Sequence, residues 1–151
     1  MAKLTLSLGS NEGNRDEHLQ VARQALTERL GPVAYTSPVI TTPPWGMTAQ
    51  PDFRNQVIVL SIPDPNRGQP LKNYLHALLD QTQAIELEQG RTRDTHWGPR
   101  TLDIDMIFVD DLIYEDDRLS LPHPWWGHRS FVRDLLPPGL LDPYGRILDT
   151  R

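Results

Sequence analysis

The chain contains no cysteine, which excludes disulfide bonds, thiolate metal sites and a cysteine nucleophile. It also lacks any apolar run near the roughly 18 residues that a membrane-spanning helix needs, and its mean hydropathy is −0.49. No positively charged, apolar targeting signal is visible, because Met1 leads directly into a short strand-like segment. These absences favour a cytoplasmic, soluble protein without a membrane partner.

An excess of positive charge is also missing, since 15 Lys and Arg residues stand against 20 Asp and Glu residues and leave a net charge of −5. Proteins that bind nucleic acid or anionic membranes over a broad surface are usually basic, so we expect neither partner. A small anionic ligand held by a local group of arginines is compatible with this charge. The length of 151 residues predicts one domain over residues 1–151, and we expect a monomer because nothing requires a second copy.

Apolar periodicity and turn residues divide the chain into six main elements. Their order is strand, helix, strand, strand, helix, strand, at about residues 3–8, 15–30, 33–39, 55–62, 70–90 and 102–108. Further segments are predicted as a proline-rich loop, a hairpin turn and a short helix, at residues 41–52, 110–111 and 130–136. The order predicts an α+β fold of the ferredoxin-like split βαβ type, with an antiparallel sheet, helices on one face and added C-terminal strands and helix.

The strongest chemical signal is a loop with three arginines that leads into a strand with two aspartates. The arginines are Arg91, Arg93 and Arg100, and the aspartates are Asp103 and Asp105. Residues two apart on a strand share a face, with Cα atoms roughly 6.5–7 Å apart. Two such carboxylates repel unless a cation lies between them, and Mg²⁺ with attached phosphates fits this need, while arginines bind the remaining phosphate charge. The pattern predicts phosphoryl chemistry on a nucleotide.

Several segments of the chain, in the right order, carry a family resemblance. They are Leu8-Gly9-Ser10-Asn11 with Gly13, Thr42-Pro43-Pro44 with Gly46, Gln50-Pro51-Asp52-Phe53 with Asn55, Trp97-Gly98-Pro99-Arg100-Thr101-Leu102-Asp103-Ile104-Asp105, and Leu121-Pro122-His123-Pro124 with Arg129 and Phe131. With these motifs the chain resembles the 6-hydroxymethyl-7,8-dihydropterin pyrophosphokinases of folate biosynthesis. The long run from Trp97 to Asp105 is specific, whereas an isolated pair of aspartates would be weak.

The resemblance implies transfer of a pyrophosphoryl group from ATP, the co-substrate, to the hydroxymethyl group of a reduced pterin, with release of AMP. It also implies that two Mg²⁺ ions lie between the paired aspartates and the triphosphate. Such chemistry depends on positioning and charge neutralisation more than on covalent catalysis.

The resemblance further implies a role for each of three groups of residues. The catalytic group is Arg91, Arg100, Asp103 and Asp105, and its two aspartates are the metal ligands. The ATP-binding group is Gln83, Glu86, Arg93, Trp97, Ile104, Arg118, Ser120, His123 and Arg129. The pterin-binding group is Thr42, Pro43, Trp45, Phe53, Asn55 and Phe131. Phe53 and Phe131 are expected to stack on the pterin ring, and Trp97 to fold over the site when its loop closes.

Other readings of the same residues stay open at this point. Asp103 and Asp105 could be the solvated face of an edge strand, and Phe53 and Phe131 could be core aromatics. Four histidines without metal-ligand spacing are interpreted as surface residues: His18, His76, His96 and His128. The alternative functions are a Mg²⁺-dependent nucleotidyltransferase, which would release pyrophosphate, and a non-catalytic pterin- or nucleotide-binding paralogue.

Overall fold

A computed structural model of the chain describes residues 1–44, 49–66, 68–90, 101–124 and 130–137, without the side chains of Ser130 and Phe131. Seven strands and three helices lie in these described residues. In chain order they are β1 (Ala2–Ser10), α1 (Arg15–Arg29), β2 (Val33–Thr36), β3 (Ile40–Thr42), β4 (Phe53–Ile62), α2 (Leu71–Glu88), β5 (Asp103–Val109), β6 (Tyr114–Glu115), β7 (Ser120–Leu121) and α3 (Ser130–Leu135).

The main sheet has five antiparallel strands in the order β2-β4-β1-β5, and β3 also pairs with β4. This confirms the predicted α+β class with its ferredoxin-like arrangement. The strand β3 overlaps the first two residues of the predicted loop at 41–52, so that part of the prediction is wrong. Its residues become a strand because Ile40 and Thr42 pair with Asn55 and Phe53 of β4, a contact between segments that local composition does not reveal.

The sequence predicts Asn14, with Glu17 three residues later, as the N-cap of the first long helix and Gly90 as the residue after the second, and the structure agrees. The side chain of Asn14 accepts a hydrogen bond from the N–H of Glu17 at 3.2 Å and caps α1. After α2, Gly90 has φ +84, the left-handed conformation that commonly follows a helix C-terminus. The helical spacing of Leu71, Leu75, Leu78 and Ile85 predicts that all four are core residues of α2. Leu71 is nevertheless 36% exposed, because it lies in the first turn.

The core has two clusters, one on each face of the sheet. Alternate residues of β1, including Leu4, Leu6 and Leu8, pack against α1 and α2. The opposite face packs Val57 and Phe108 against α3. Strand alternation from Leu102 through Ile104 and Met106 predicts that Phe108 shares their face. This is wrong, because the β1–β5 register shifts between Thr5 and Leu6 and moves Phe108 to the α3 side.

The segment after β5 also differs from its predicted hairpin. Asp110 adopts φ +46, and its Oδ1 accepts a hydrogen bond from the N–H of Lys3 at 2.7 Å. The chain then turns away from β5, and β6 pairs with β7 in a separate two-stranded sheet. Within the described ranges no helix has the length and apolar character to cross a membrane.

Candidate active site

One row of residues crosses three strands at the end of the sheet. Gly9 of β1 is the register partner of Asp103 on β5 and of Asn55 on β4. Neighbouring strands are about 4.8 Å apart, so the Cα atoms of Asp103 and Asn55 are roughly 10 Å apart with Gly9 between them. Because Gly9 has no side chain, the side chains of Asn55 and Phe53 can approach it closely. A Cβ at Gly9 would lie 3.0 Å from Asn55 Oδ1 and 3.5 Å from Phe53 Cδ1.

The two predicted metal ligands share the face that turns away from the long helices. Asp103 and Asp105 are half-buried, while Leu102, Ile104 and Met106 between and beside them are buried against α1 and α2. Both carboxylates therefore project from a rigid strand on the same side. This arrangement suits a hard cation, because Mg²⁺ is commonly held by one or two carboxylates together with substrate phosphates. In the part of the chain that the structure describes, no group of three or more His, Cys, Asp or Glu residues could hold a metal on its own.

His123 lies beside this aspartate pair. Its Nε2 is 3.8 Å from Asp105 Oδ1, and its backbone N–H donates to the carbonyl of Ile107 at 3.0 Å. The backbone bond holds the segment after β7 against the edge of β5. A histidine that is distant in sequence is thus placed next to the carboxylates.

The predicted adenosine-side residues form two linked pairs around α2. Glu86 is 3% exposed, and its Oε2 accepts from the N–H of Ile104 at 2.8 Å. One turn earlier, Gln83 Oε1 accepts from Arg118 Nη2 at 3.3 Å. Ser120 is half-buried on β7, two residues after Arg118. Helix α2, strand β5 and the β6–β7 hairpin therefore bring together residues that lie far apart in the chain.

A second network connects the same hairpin to α2, and the sequence reasoning did not assign it to the site. Asp116 Oδ2 interacts with His76 Nε2 at 2.6 Å and accepts from Tyr114 OH at 2.5 Å. Asp116 Oδ1 accepts from the N–H groups of Arg118 and Leu119 at 2.8 and 2.9 Å. The bond from the Tyr114 hydroxyl, the two backbone N–H groups and His76 hold the pKa of Asp116 well below its usual range. The same bond to Asp116 raises the pKa of Tyr114.

Two of the histidines interpreted as surface residues are in fact half-buried and bonded. The His76 side chain is only 17% exposed, because α2 and the hairpin enclose it. His18 Nδ1 is 3.0 Å from Gln89 Oε1 and links the start of α1 to the end of α2. His96 and His128 lie outside the described residues. The pair Asp116-Asp117 was the sequence signal that could have pointed to the Asp116 network, since Asp is a common first residue of a tight turn.

The predicted pterin-side residues gather at the other end of the row. Asn55 is 4% exposed, and its Nδ2 donates to Thr42 Oγ1 at 2.5 Å. Phe53 is half-buried and pairs with Thr42 across β3 and β4, while Pro43 follows as an exposed residue. Because Nδ2 bonds to Thr42, Oδ1 is the atom of the Asn55 amide that faces Gly9.

Further contacts join the two loops that flank this end of the sheet. Asn11 Nδ2 donates to Gln50 Oε1 at 2.8 Å and to the carbonyl of Pro51 at 3.1 Å. Arg15 Nη1 donates to the carbonyl of Asp52 at 2.8 Å. The loop after β1 is therefore attached to the segment that leads into Phe53.

Several predicted residues lie outside the described residues, namely Trp45, Arg91, Arg93, Trp97, Arg100, Arg129 and the side chain of Phe131.

Comparisons with known proteins agree with the motifs. A family model described as 7,8-dihydro-6-hydroxymethylpterin-pyrophosphokinase (HPPK) matches residues 5–137. A relative from Pseudomonas aeruginosa, named 2-amino-4-hydroxy-6-hydroxymethyldihydropteridine pyrophosphokinase, is 40% identical over 151 residues, which cover 99% of this chain and 86% of the relative. A relative of the same name from Methylorubrum extorquens is 35% identical over 133 residues, covering 87% of this chain and 78% of the relative.

Solved structures support the fold. The crystal structure of wild-type HPPK-DHPS from Plasmodium falciparum matches with a TM-score of 0.61 and 13% identity, covering 94% of this chain. A crystal structure of HPPK-DHPS in complex with substrates matches with a TM-score of 0.60 and 13% identity, covering 87% of this chain. The chain spans only 42% and 39% of those two longer chains. At such low identity these matches speak for the architecture alone.

Proposed function

We propose the chemistry of this site from the premise that the chain belongs to the 7,8-dihydro-6-hydroxymethylpterin-pyrophosphokinase family. It is an ATP-dependent pyrophosphokinase that transfers pyrophosphate to the hydroxymethyl group of 6-hydroxymethyl-7,8-dihydropterin in folate biosynthesis and releases AMP. The observation that carries the assignment to this site is the row of Asp103, Gly9 and Asn55. In this row the Cα atoms of Asn55 and Asp103 are about 10 Å apart. The Asn55 amide can form hydrogen bonds with the edge of a pterin, and the Asp103 carboxylate can face a triphosphate.

Asp103 and Asp105 are the proposed ligands of two Mg²⁺ ions. Their half-buried carboxylates on one strand face offer oxygen donors without much freedom to move, which favours hard divalent cations over softer metals. When bound, Mg²⁺ neutralises phosphate charge and polarises the phosphoryl oxygens. The role of the strand is to hold both carboxylates in place, so that no reorganisation is needed during transfer.

Cationic side chains are proposed to bind the phosphates that the metals do not neutralise. Arg91 and Arg100 act at the transferred group, and Arg93, His123 and Arg129 contact the remaining phosphates. Guanidinium groups suit this task because they bind phosphate oxygens in pairs. The 3.8 Å separation of His123 from Asp105 supports its place beside the metal ligands. Trp97 covers the site in the closed state and excludes water, the competing acceptor.

The adenosine part of ATP is proposed to lie between α2, β5 and the β6–β7 hairpin. The residues proposed to contact it are Gln83, Glu86, Ile104, Arg118 and Ser120. Two hydrogen bonds support this grouping, from Arg118 to Gln83 and from the Ile104 N–H to Glu86. The pairing of Ile104 with Leu8 and its bond to Glu86 hold the β5 backbone in place at this point.

The pterin is proposed to lie on the other side of Gly9. Asn55 reads its donor and acceptor edge, backbone groups of Thr42, Pro43 and Trp45 complete that edge, and Phe53 and Phe131 stack on the ring. The close approach of Asn55 and Phe53 to Gly9 supports this placement, because it sets two of the proposed pterin residues next to each other. Asp103 is the register partner of Gly9 on the neighbouring strand, so the hydroxymethyl group of the pterin is proposed to face Asp103.

At the level of the whole protein we propose a single domain over residues 1–151 that acts on small molecules as a cytoplasmic monomer. The two alternative functions are not favoured by the family assignment. They nevertheless predict different products, so one assay separates all three. The protein is mixed with ATP, Mg²⁺ and 6-hydroxymethyl-7,8-dihydropterin, and nucleotides are resolved by chromatography with a control that lacks the pterin.

We expect AMP to form only when the pterin is present. Release of pyrophosphate in place of AMP would move the assignment to nucleotidyl transfer. A folded protein that binds ATP and pterin without forming AMP would be a binding paralogue. Either of these results would contradict the proposed reaction.

A further inference from the structure

A half-buried carboxylate away from the proposed metal pair organises the β6–β7 hairpin. Asp116 is 18% exposed in its side chain, and four groups contact its two oxygens: Tyr114 OH, His76 Nε2 and the N–H groups of Arg118 and Leu119. Such a fully bonded carboxylate in a four-residue turn fixes the conformation of that turn. One of the residues whose backbone it holds is Arg118.

The Arg118 side chain lies across α2 and contacts three of its residues. Nη2 donates to Asp80 Oδ1 at 2.8 Å and to Gln83 Oε1 at 3.3 Å. Nη1 is 3.5 Å from His76 Nδ1. A guanidinium has only donors, so His76 Nδ1 can accept from it in the tautomer that carries its proton on Nε2, the nitrogen next to Asp116. One imidazole therefore contacts both the residue that holds the turn and the arginine that the turn presents.

The contact with Gln83 has a consequence for its amide. Because Oε1 accepts from Arg118, the amide orientation is set and the two N–H donors of Gln83 point away from the arginine. Displacement of Arg118 would release both the guanidinium and the glutamine amide. The connection from Asp116 through His76 and Arg118 to Gln83 thus ends at two residues that the proposed function places at the adenosine part of ATP.

We propose that Asp116 and His76 are positioning residues for the nucleotide, which hold Arg118 and Gln83 in the arrangement that binds the adenosine part of ATP. The inference rests on the proposed function for the identity of that ligand. It predicts that loss of Asp116 weakens the binding of ATP without changing the binding of the pterin, because Thr42, Phe53 and Asn55 of the pterin group lie on β3 and β4.

The test compares Asp116→Asn with Asp117→Asn, which removes the same charge from the exposed neighbouring residue. For each variant, KM for ATP and KM for 6-hydroxymethyl-7,8-dihydropterin are measured from AMP release. Loss of one oriented, charge-assisted contact set corresponds to about 1.4 kcal/mol, a tenfold change. We expect Asp116→Asn to raise KM for ATP about tenfold, with KM for the pterin changed by less than about twofold, and Asp117→Asn to behave as wild type.

A purely structural role would give a different result. If Asp116→Asn lowers the melting temperature and raises both KM values together, or leaves KM for ATP unchanged, the inference is wrong. If that variant does not fold, His76→Gln takes its place, because the amide keeps a donor for Asp116. It should raise KM for ATP about threefold, and an unchanged value would overturn the proposal.

Calorimetric binding of a non-hydrolysable ATP analogue with Mg²⁺ distinguishes this inference from the proposed reaction. If the wild-type protein forms no AMP, the proposed function fails. The analogue's affinity for wild type, Asp116→Asn and Asp117→Asn still decides whether Asp116 positions the nucleotide residues. An equal affinity of all three proteins would overturn the inference, and a loss confined to Asp116→Asn would support it.

Discussion

Gly9 offers the sharpest test of how the site is built, because a side chain at this position meets Asn55 and Phe53, two of the proposed pterin residues. Its Cβ would lie 3.0 Å from Asn55 Oδ1 and 3.5 Å from Phe53 Cδ1. The first distance is tight enough that the amide must move by a few tenths of an ångström. Gly9 does not belong to the glycines with positive φ, so substitution meets a steric and not a backbone obstacle.

The two effects of Gly9→Ala should have opposite signs. Replacing a strand glycine by alanine recovers roughly 0.5–1 kcal/mol of backbone entropy, which offsets part of the steric cost, so stability should stay within about 1 kcal/mol of wild type. Activity should fall, because a misplacement of about 1 Å can cost on the order of 100-fold in rate. A shift of a few tenths of an ångström then predicts a loss of about fivefold in kcat/KM for the pterin, and the larger Gly9→Val a loss of about 100-fold.

The assay combines pterin-dependent AMP release with thermal unfolding of the same preparations. Gly68→Ala is the matched control, since Gly68 has φ +82 and nothing within 4 Å of a Cβ. It lies in the turn before α2, beyond the far end of β4, so it should lose about 1 kcal/mol of stability while kcat/KM stays unchanged. A wild-type kcat/KM for the pterin in Gly9→Val would show that pterin binding does not need the close approach of Asn55 and Phe53 to Gly9.

Three further predictions follow from named contacts. Asp103→Ala should abolish AMP release while the melting temperature stays near that of wild type, because the carboxylate is half-buried and its proposed role is metal binding; retention of most of the activity would remove Asp103 from the metal site. Asn14→Ala should lower the free energy of unfolding in urea by about 1 kcal/mol through loss of the α1 cap, and an unchanged value would show that the cap contributes nothing. The pKa of Asp116 is lowered on folding, first by the Tyr114 hydrogen bond, so its stabilising contribution is complete above the unfolded pKa of about 3.9 and is lost as the pH falls below it. Stability is measured from about pH 6 to about pH 3, a range that spans the unfolded pKa. Over this range it should fall less steeply in Asp116→Asn than in Asp117→Asn.

Much of the architecture was predictable because it depends on local rules. The alternation of apolar and polar residues predicted the face shared by Asp103 and Asp105, and spacing alone predicted the cap formed by Asn14. These features depend on neighbours within four residues, where strand pleat and helix geometry leave few choices. The fold class followed from the order of the elements.

The remaining features depend on partners that are distant along the chain. The short strand β3 exists through pairing with β4, and the β1–β5 bulge moved Phe108 to the face opposite the one that simple alternation predicted. His76 and Asp116 are 40 positions apart, so no local pattern could join them. For the same reason, His76 and His18 were assigned to the surface although both are enclosed by a second element.

The motifs of the chain identify which residues could serve this chemistry. Their carboxylates, arginines and aromatic rings have the chemistry that the site needs, and they match the family pattern. Which of these residues meet is settled by the fold. The register of three strands places Gly9 between Asp103 and Asn55, and the packing of the hairpin on α2 places Arg118 beside Gln83. The physical reason is that register and packing are set by hydrogen bonds and burial across the whole sheet, which no single segment of the chain contains.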